Sequence, residues 1–200
     1  MGYLKNSRNF NPDYKLWTAC GDDDFRPVYN YIIFKDGYAY ATDGHILVRV
    51  PLADYCNIPE EETALLNGYA IRKDMLRYVL TLGNIWIDKE TVTDKEGKEK
   101  EEVFITGSKG YNVVRVYLVK EADAIKFPKC DVLFTEESSR EPLSLIGINL
   151  KFLARISSAM GVSRVKLEFT KQTSKVFVLP FYDEERTAAS GIIMPILLDD

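Results

Sequence analysis

The sequence predicts an α+β protein with antiparallel sheets, and three observations carry that prediction. Residues 28–35, 38–42 and 45–50 are rich in branched and aromatic residues, and Asp36-Gly37 and Asp43-Gly44 separate them. Such pairs tolerate positive φ, so 28–50 reads as a three-strand antiparallel meander. Amphipathic helices are predicted over 72–82 and between Asn149 and Gly161, each followed by strands. Aligned on Ile71 and Ile148, the helices correspond: Met75 meets Phe152, Leu76 meets Leu153 and Val79 meets Ile156. The chain therefore repeats a unit of strand, helix and three strands.

Bulk properties bound the function classes. Of 200 residues, 46% are hydrophobic and 28% charged, an ordinary globular composition. No apolar run approaches the ~18 residues of a membrane span, and the first residues lack the apolar core of a secretion signal, so a cytoplasmic location is expected. Cys20, Cys56 and Cys130 are odd in number and widely spaced, with His45 the only histidine. Free thiols are expected, with no disulfide framework, metal site or cofactor. A net charge of −4 argues against a surface that coats nucleic acid everywhere, but leaves room for a local basic face.

In chain order, residues 1–14 form a loose polar arm, with Phe10 and Tyr14 among its anchors. Residues 15–20 suit a short helix or strand. The acidic run Asp22-Asp23-Asp24 reads as a solvated turn, because a calcium loop spaces its ligands at alternate positions and adds a later Glu. After the meander, 53–66 is a charged connection or one helical turn, and 68–71 is a short strand. The helix over 72–82 places Met75, Leu76, Val79 and Leu80 on one face, with Gly83 as its left-handed cap.

Strands follow at 85–87, 103–106 and 111–119, around a charged tip at 94–102 that reads as a solvated loop. Residues 120–142 form a linker region with a short apolar strand at 132–134. A strand over 143–148 then leads to Asn149, a good N-cap, and to the second helix. Strands at 165–169, 175–181 and 189–197 complete the chain. The organisation expected is an arm (1–14), a first domain (15–135), a linker (136–142) and a shorter second domain (143–200).

Several runs resemble a known family. Arg26-Pro27-Val28-Tyr29-Asn30 and Ala41-Thr42-Asp43-Gly44-His45-Ile46-Leu47 look like the middle domain of bacterial sliding clamps, the β subunit of DNA polymerase III. Gly68-Tyr69-Ala70-Ile71-Arg72-Lys73 looks like that family's second helix unit. Lys126-Phe127-Pro128 is similar to its F-P segment, and Ile192-Ile193-Met194-Pro195-Ile196-Leu197 to its terminal strand. The resemblance covers 15–135 against the middle domain and 143–198 against half of the last. The chain departs from the pattern at Tyr31, Ile46 and Cys130, and it is too short for three clamp domains.

The resemblance implies the DNA-clamp fold and no enzymatic activity. It implies a pocket for partner peptides, such as those of a DNA polymerase, at Tyr29, Thr42, Gly44, His45, Ile46, Leu47, Pro128, Val132, Leu133, Ile192, Ile193, Met194 and Pro195. It also implies a helix face towards duplex DNA, carrying Arg72, Lys73, Arg77, Lys151 and Arg155 against one acid, Asp74. The plainer reading makes these core residues and solvated helix positions.

The function expected is thus a clamp-like processivity factor, with a homo-oligomer as its candidate assembly. The alternative is a clamp-fold binding module or decoy, of phage or mobile-element origin, that closes no ring. A third reading, a hydrolase using Asp43 and His45, has only those two groups on one turn and no nucleophile motif. A lone histidine in such a turn is expected to cap it by hydrogen bonding.

Overall fold

The computed structural model describes residues 8–22, 25–120, 133–134, 146–169, 175–181 and 189–195. Pro128 and Val132 of the expected pocket, and Cys130, lie outside the described residues.

3-10 turns at Leu16–Ala19 and Pro27–Asn30 lead into the predicted meander, whose first strand begins at Tyr31 rather than at 28: β1 (Tyr31–Lys35), β2 (Tyr38–Thr42) and β3 (Ile46–Pro51). Short helices α1 (Leu52–Tyr55) and α2 (Glu60–Thr63) fill the connection to β4 (Tyr69–Arg72) and α3 (Lys73–Val79). Next come β5 (Ile85–Thr93), β6 (Glu99–Lys109), β7 (Asn112–Tyr117) and the short β8 (Val119–Lys120). Helix α4 (Leu150–Met160) precedes β9 (Val165–Phe169), β10 (Val176–Pro180) and β11 (Ser190–Ile193).

The protein is α+β with antiparallel sheets. Among the described residues, eight strands form one sheet in the order β8-β4-β1-β2-β3-β11-β10-β9, and β5-β6-β7 form a second. Three times, a helix or 3-10 turn is followed by a three-strand antiparallel meander: Leu16–Ala19 by β1 to β3, α3 by β5 to β7, and α4 by β9 to β11. Strand β3 pairs antiparallel with β11, with Ile46 opposite Ile193 and Leu47 opposite Ile192. Strands from residues 15–135 and from 143–200 thus share one sheet.

Alternation along each strand sorts side chains to two faces. Ile32 and Phe34 of β1, Ile46, Val48 and Val50 of β3, and Ile193 of β11 join the main core. There they meet Leu16 and Ala19, Leu76 and Val79 of α3, and Ile156, Ala159 and Met160 of α4. Each such aliphatic side chain contributes roughly 1.5–3 kcal/mol by leaving water. On the opposite face Tyr40, Leu47, Ile192 and Phe177 form a separate cluster, joined by Tyr38 and Phe134.

Local chemistry explains the element ends. Asn149 caps α4, its side chain accepting from the backbone N–H of Lys151 at 3.0 Å, and Gly161 takes the left-handed cap at φ 68°. Gly83 does not play that part: α3 ends at Leu80 in right-handed conformation, and Gly83 N–H donates to the Ser108 carbonyl at 2.7 Å. The charged tip is shorter than its composition suggests, because Lys89 pairs with Glu101 and the ladder runs on to Thr93 and Glu99. Residues 143–145 of the strand expected before α4 lie outside the described residues; of the rest, Gly147 makes a β-bridge. Leu133 and Phe134 are helical rather than extended. Residues 8–14 are docked: Phe10 is fully buried against Tyr55, and Arg8 pairs with Glu62.

Candidate functional site

The turn between β2 and β3 is held by its own side chains. Thr42 Oγ1 donates to the Ile46 carbonyl at 2.6 Å and accepts from Gly44 N–H at 3.0 Å. Asp43 Oδ1 accepts from the N–H groups of His45 and Ile46, both at 2.9 Å. Gly44 has φ 91°, and a β-carbon there would lie 3.2 Å from the Tyr29 ring, so both backbone and space call for glycine. The turn is therefore capped by Asp43 and Thr42, not by the histidine.

The other Asp43 oxygen reaches across to α4. Arg155 Nη1 donates to Asp43 Oδ2 at 2.6 Å, Nε to the Thr18 carbonyl at 2.8 Å and Nη2 to the Cys20 carbonyl at 3.1 Å. One guanidinium thus joins the turn, α4 and the end of the first 3-10 turn. The imidazole of His45 stacks on Phe152 of α4, with ring centroids 5.5 Å apart. Asp43 spends its oxygens on two backbone N–H groups and Arg155, so the arrangement of an acid orienting a histidine base is not what this turn builds.

Helix α3 brings a second set of charges to the same place. Lys73 Nζ donates to the Gly21 carbonyl at 2.5 Å and to the Asp22 carboxylate. Arg77 follows one turn later on the same face. A groove of about 620 Å³ results, in which the cations Lys73, Arg77 and Arg155 are matched by the acids Asp22, Asp43 and Asp74, with Trp17 and His45 also in its lining. Arg72 pairs with Asp74 at 3.1 Å instead. Burial pushes the Asp74 carboxyl up, but hydrogen bonds from Arg72 and from backbone N–H groups outweigh it, and the net shift is downward. Lys151 lies exposed one turn before Arg155. Neither Arg77 nor Lys151 has an ion pair among the described residues.

This charge balance differs from the one expected. The predicted face had one acid, Asp74; folding adds Asp22 and Asp43, which the sequence places far from α3 and α4. Arg155 and Lys73 are engaged internally, which leaves Arg77 and Lys151 as the available cations.

The residues expected to form one peptide pocket divide among three environments. Ile46 and Ile193 lie in the main core, and Leu47 and Ile192 lie on the opposite face. Tyr29, Gly44, His45 and Met194 gather at the end of the sheet, where Met194 N–H donates to the His45 carbonyl at 3.3 Å. Met194 is 51% exposed, and Pro195 is half-buried beside it. Leu133 is exposed, and its carbonyl accepts from Lys175 Nζ at 3.1 Å. Phe134 beside it packs on Phe177 and under the Arg49 guanidinium, 4.1 Å from the ring centroid.

Sequence reasoning missed Asp22, Trp17 and the backbone carbonyls that Arg155 and Lys73 seek. The acidic run and the aromatic in 15–20 were visible, but their partners lie too far along the chain for any spacing rule. Comparison with protein-family models, with curated proteins and with solved structures finds no match in any of the three.

Proposed function

We propose that this protein is a clamp-fold DNA-replication accessory that works by binding rather than catalysis. Its helical face meets the phosphate backbone of duplex DNA, and the end of the sheet around His45 and Met194 takes a partner peptide. The observation that carries the first part is the pair of exposed cations without an ion pair among the described residues, Arg77 on α3 and Lys151 on α4, at and beside the groove where α3, α4 and the Leu16–Ala19 turn meet and where Lys73 and Arg155 are paired with Asp22 and Asp43. Lys151 stands one turn along α4 from Arg155. Cations on helices reach phosphates without reading bases, which is the contact a non-specific duplex binder requires.

The peptide part is supported by the half-exposed Met194, a side chain that adapts to varied apolar anchors, beside His45 and Tyr29. The repeated helix and three-strand meander also suits a clamp-like architecture, in which sheets face outward and helices inward.

Fluorescence anisotropy with a labelled random-sequence duplex tests the DNA reading. Binding that weakens steeply between about 50 and about 200 mM salt, without sequence preference, is the expected result. No binding at the lower salt concentration overturns it. Mass in solution, measured by light scattering, separates a ring-forming assembly from a monomeric binding module.

A further inference from the structure

We propose that Lys73 and Arg77 form a phosphate-binding subsite that Asp22 occupies in the free protein. The inference rests on the DNA-backbone reading for its physiological ligand and deepens it. The cation is built in and the anion is not. The Lys73 side chain is 21% exposed, whereas that of Asp22 is 91% exposed. Lys73 Nζ is anchored independently by the Gly21 carbonyl at 2.5 Å, which aims the ammonium into the groove whatever Asp22 does.

An ammonium has three donors, so the Gly21 bond leaves the others for an acidic oxygen. In the free protein that oxygen belongs to Asp22. Arg77, one turn along α3 and lining the same groove, has no ion pair among the described residues and supplies a planar fork for a second phosphate oxygen. His45 faces the same space from the turn after β2.

An ion pair with so exposed a partner contributes little, so exchanging the carboxylate for a phosphate oxygen costs little. The displaced carboxylate still stands at the mouth of the groove and repels the incoming anion. Asp22 therefore weakens the binding of an incoming phosphate at this subsite.

The test uses the full chain and two probes, a labelled duplex and inorganic pyrophosphate. Titrations are made with the wild type, Asp22→Asn, Lys73→Gln and the double variant, each checked by thermal melting. The subsite predicts that Asp22→Asn binds both probes about three- to tenfold more tightly and that Lys73→Gln removes this gain. It is overturned if Asp22→Asn binds neither probe more tightly than the wild type, or if the gain persists in the double variant. A wild type that binds duplex, with no gain in Asp22→Asn, removes the subsite and leaves the DNA reading standing. A gain for pyrophosphate with no duplex binding by any protein removes the DNA reading and leaves the subsite.

Discussion

Arg155 Nη1 stands 2.6 Å from Asp43 Oδ2, a pair that joins α4 to the turn between β2 and β3 across 112 residues of sequence. The arginine also satisfies the carbonyls of Thr18 and Cys20, and the aspartate also caps His45 and Ile46. Arg155 is thus a structural cross-brace. Its side chain is 32% exposed and that of Asp43 10%, so solvent screens the pair only in part.

Replacing Arg155 with Met is expected to lower unfolding free energy by about 2–3 kcal/mol. That is below the roughly 3–5 kcal/mol of a fully buried pair, because this one is partly exposed. Urea denaturation measures it. An unchanged midpoint would show that the brace carries no stability and that Arg155 is free to serve DNA.

Arg77→Gln and Lys151→Gln are expected to act oppositely. Both side chains are exposed and unpaired among the described residues, so stability should change by no more than ~0.5 kcal/mol. Duplex affinity should fall, and the slope of log affinity against log salt should drop by about one for each cation removed. Anisotropy titrations over a salt series read both quantities.

At Gly191 the sheet and α4 come too close for a side chain. A β-carbon there would sit 2.5 Å from Ile156 Cγ2. Gly191→Ala should destabilise by about 1–3 kcal/mol, the usual range for overpacking. Adding Ile156→Ala should recover part of that loss, so that the two changes are non-additive in a double-mutant cycle.

The buried thiols set an alkaline limit. Burial pushes the Cys20 thiol up to about 12 from 9.0, although Lys73 and Arg155 nearby favour the thiolate. Burial likewise pushes Cys56 up to about 12. A raised folded-state value means that stability is intact below the unfolded value and is lost as pH climbs from about 9 towards 12, while only the unfolded chain ionises. The loss is on the order of 1.4 kcal/mol per pH unit for each thiol. Urea midpoints between about pH 8 and about pH 11 should fall less steeply in Cys20→Ala than in the wild type.

Much of the local architecture was legible in the chain. The Asp36-Gly37 and Asp43-Gly44 turns, the Asn149 cap, the Gly161 stop and most of each helix's apolar stripe are readable because each depends on residues within a few positions of one another; Met75, expected on the core face of α3, is instead 40% exposed, and Leu76 and Val79 are the buried residues there. The clash between Ile46 and Leu47 as neighbours in one pocket was readable too. Successive residues of a strand point to opposite faces, so Ile46 with Ile193 enters the core while Leu47 with Ile192 leaves it.

What only the tertiary structure decided is which distant groups meet. Strand β3 took β11 as its neighbour, Asp43 took Arg155, and Asp22 took Lys73. Side-chain type and spacing state what each group needs, an opposite charge or a strand edge. Several groups in the chain meet each need, and the choice among them is made by packing α3, α4 and the first 3-10 turn against one sheet face.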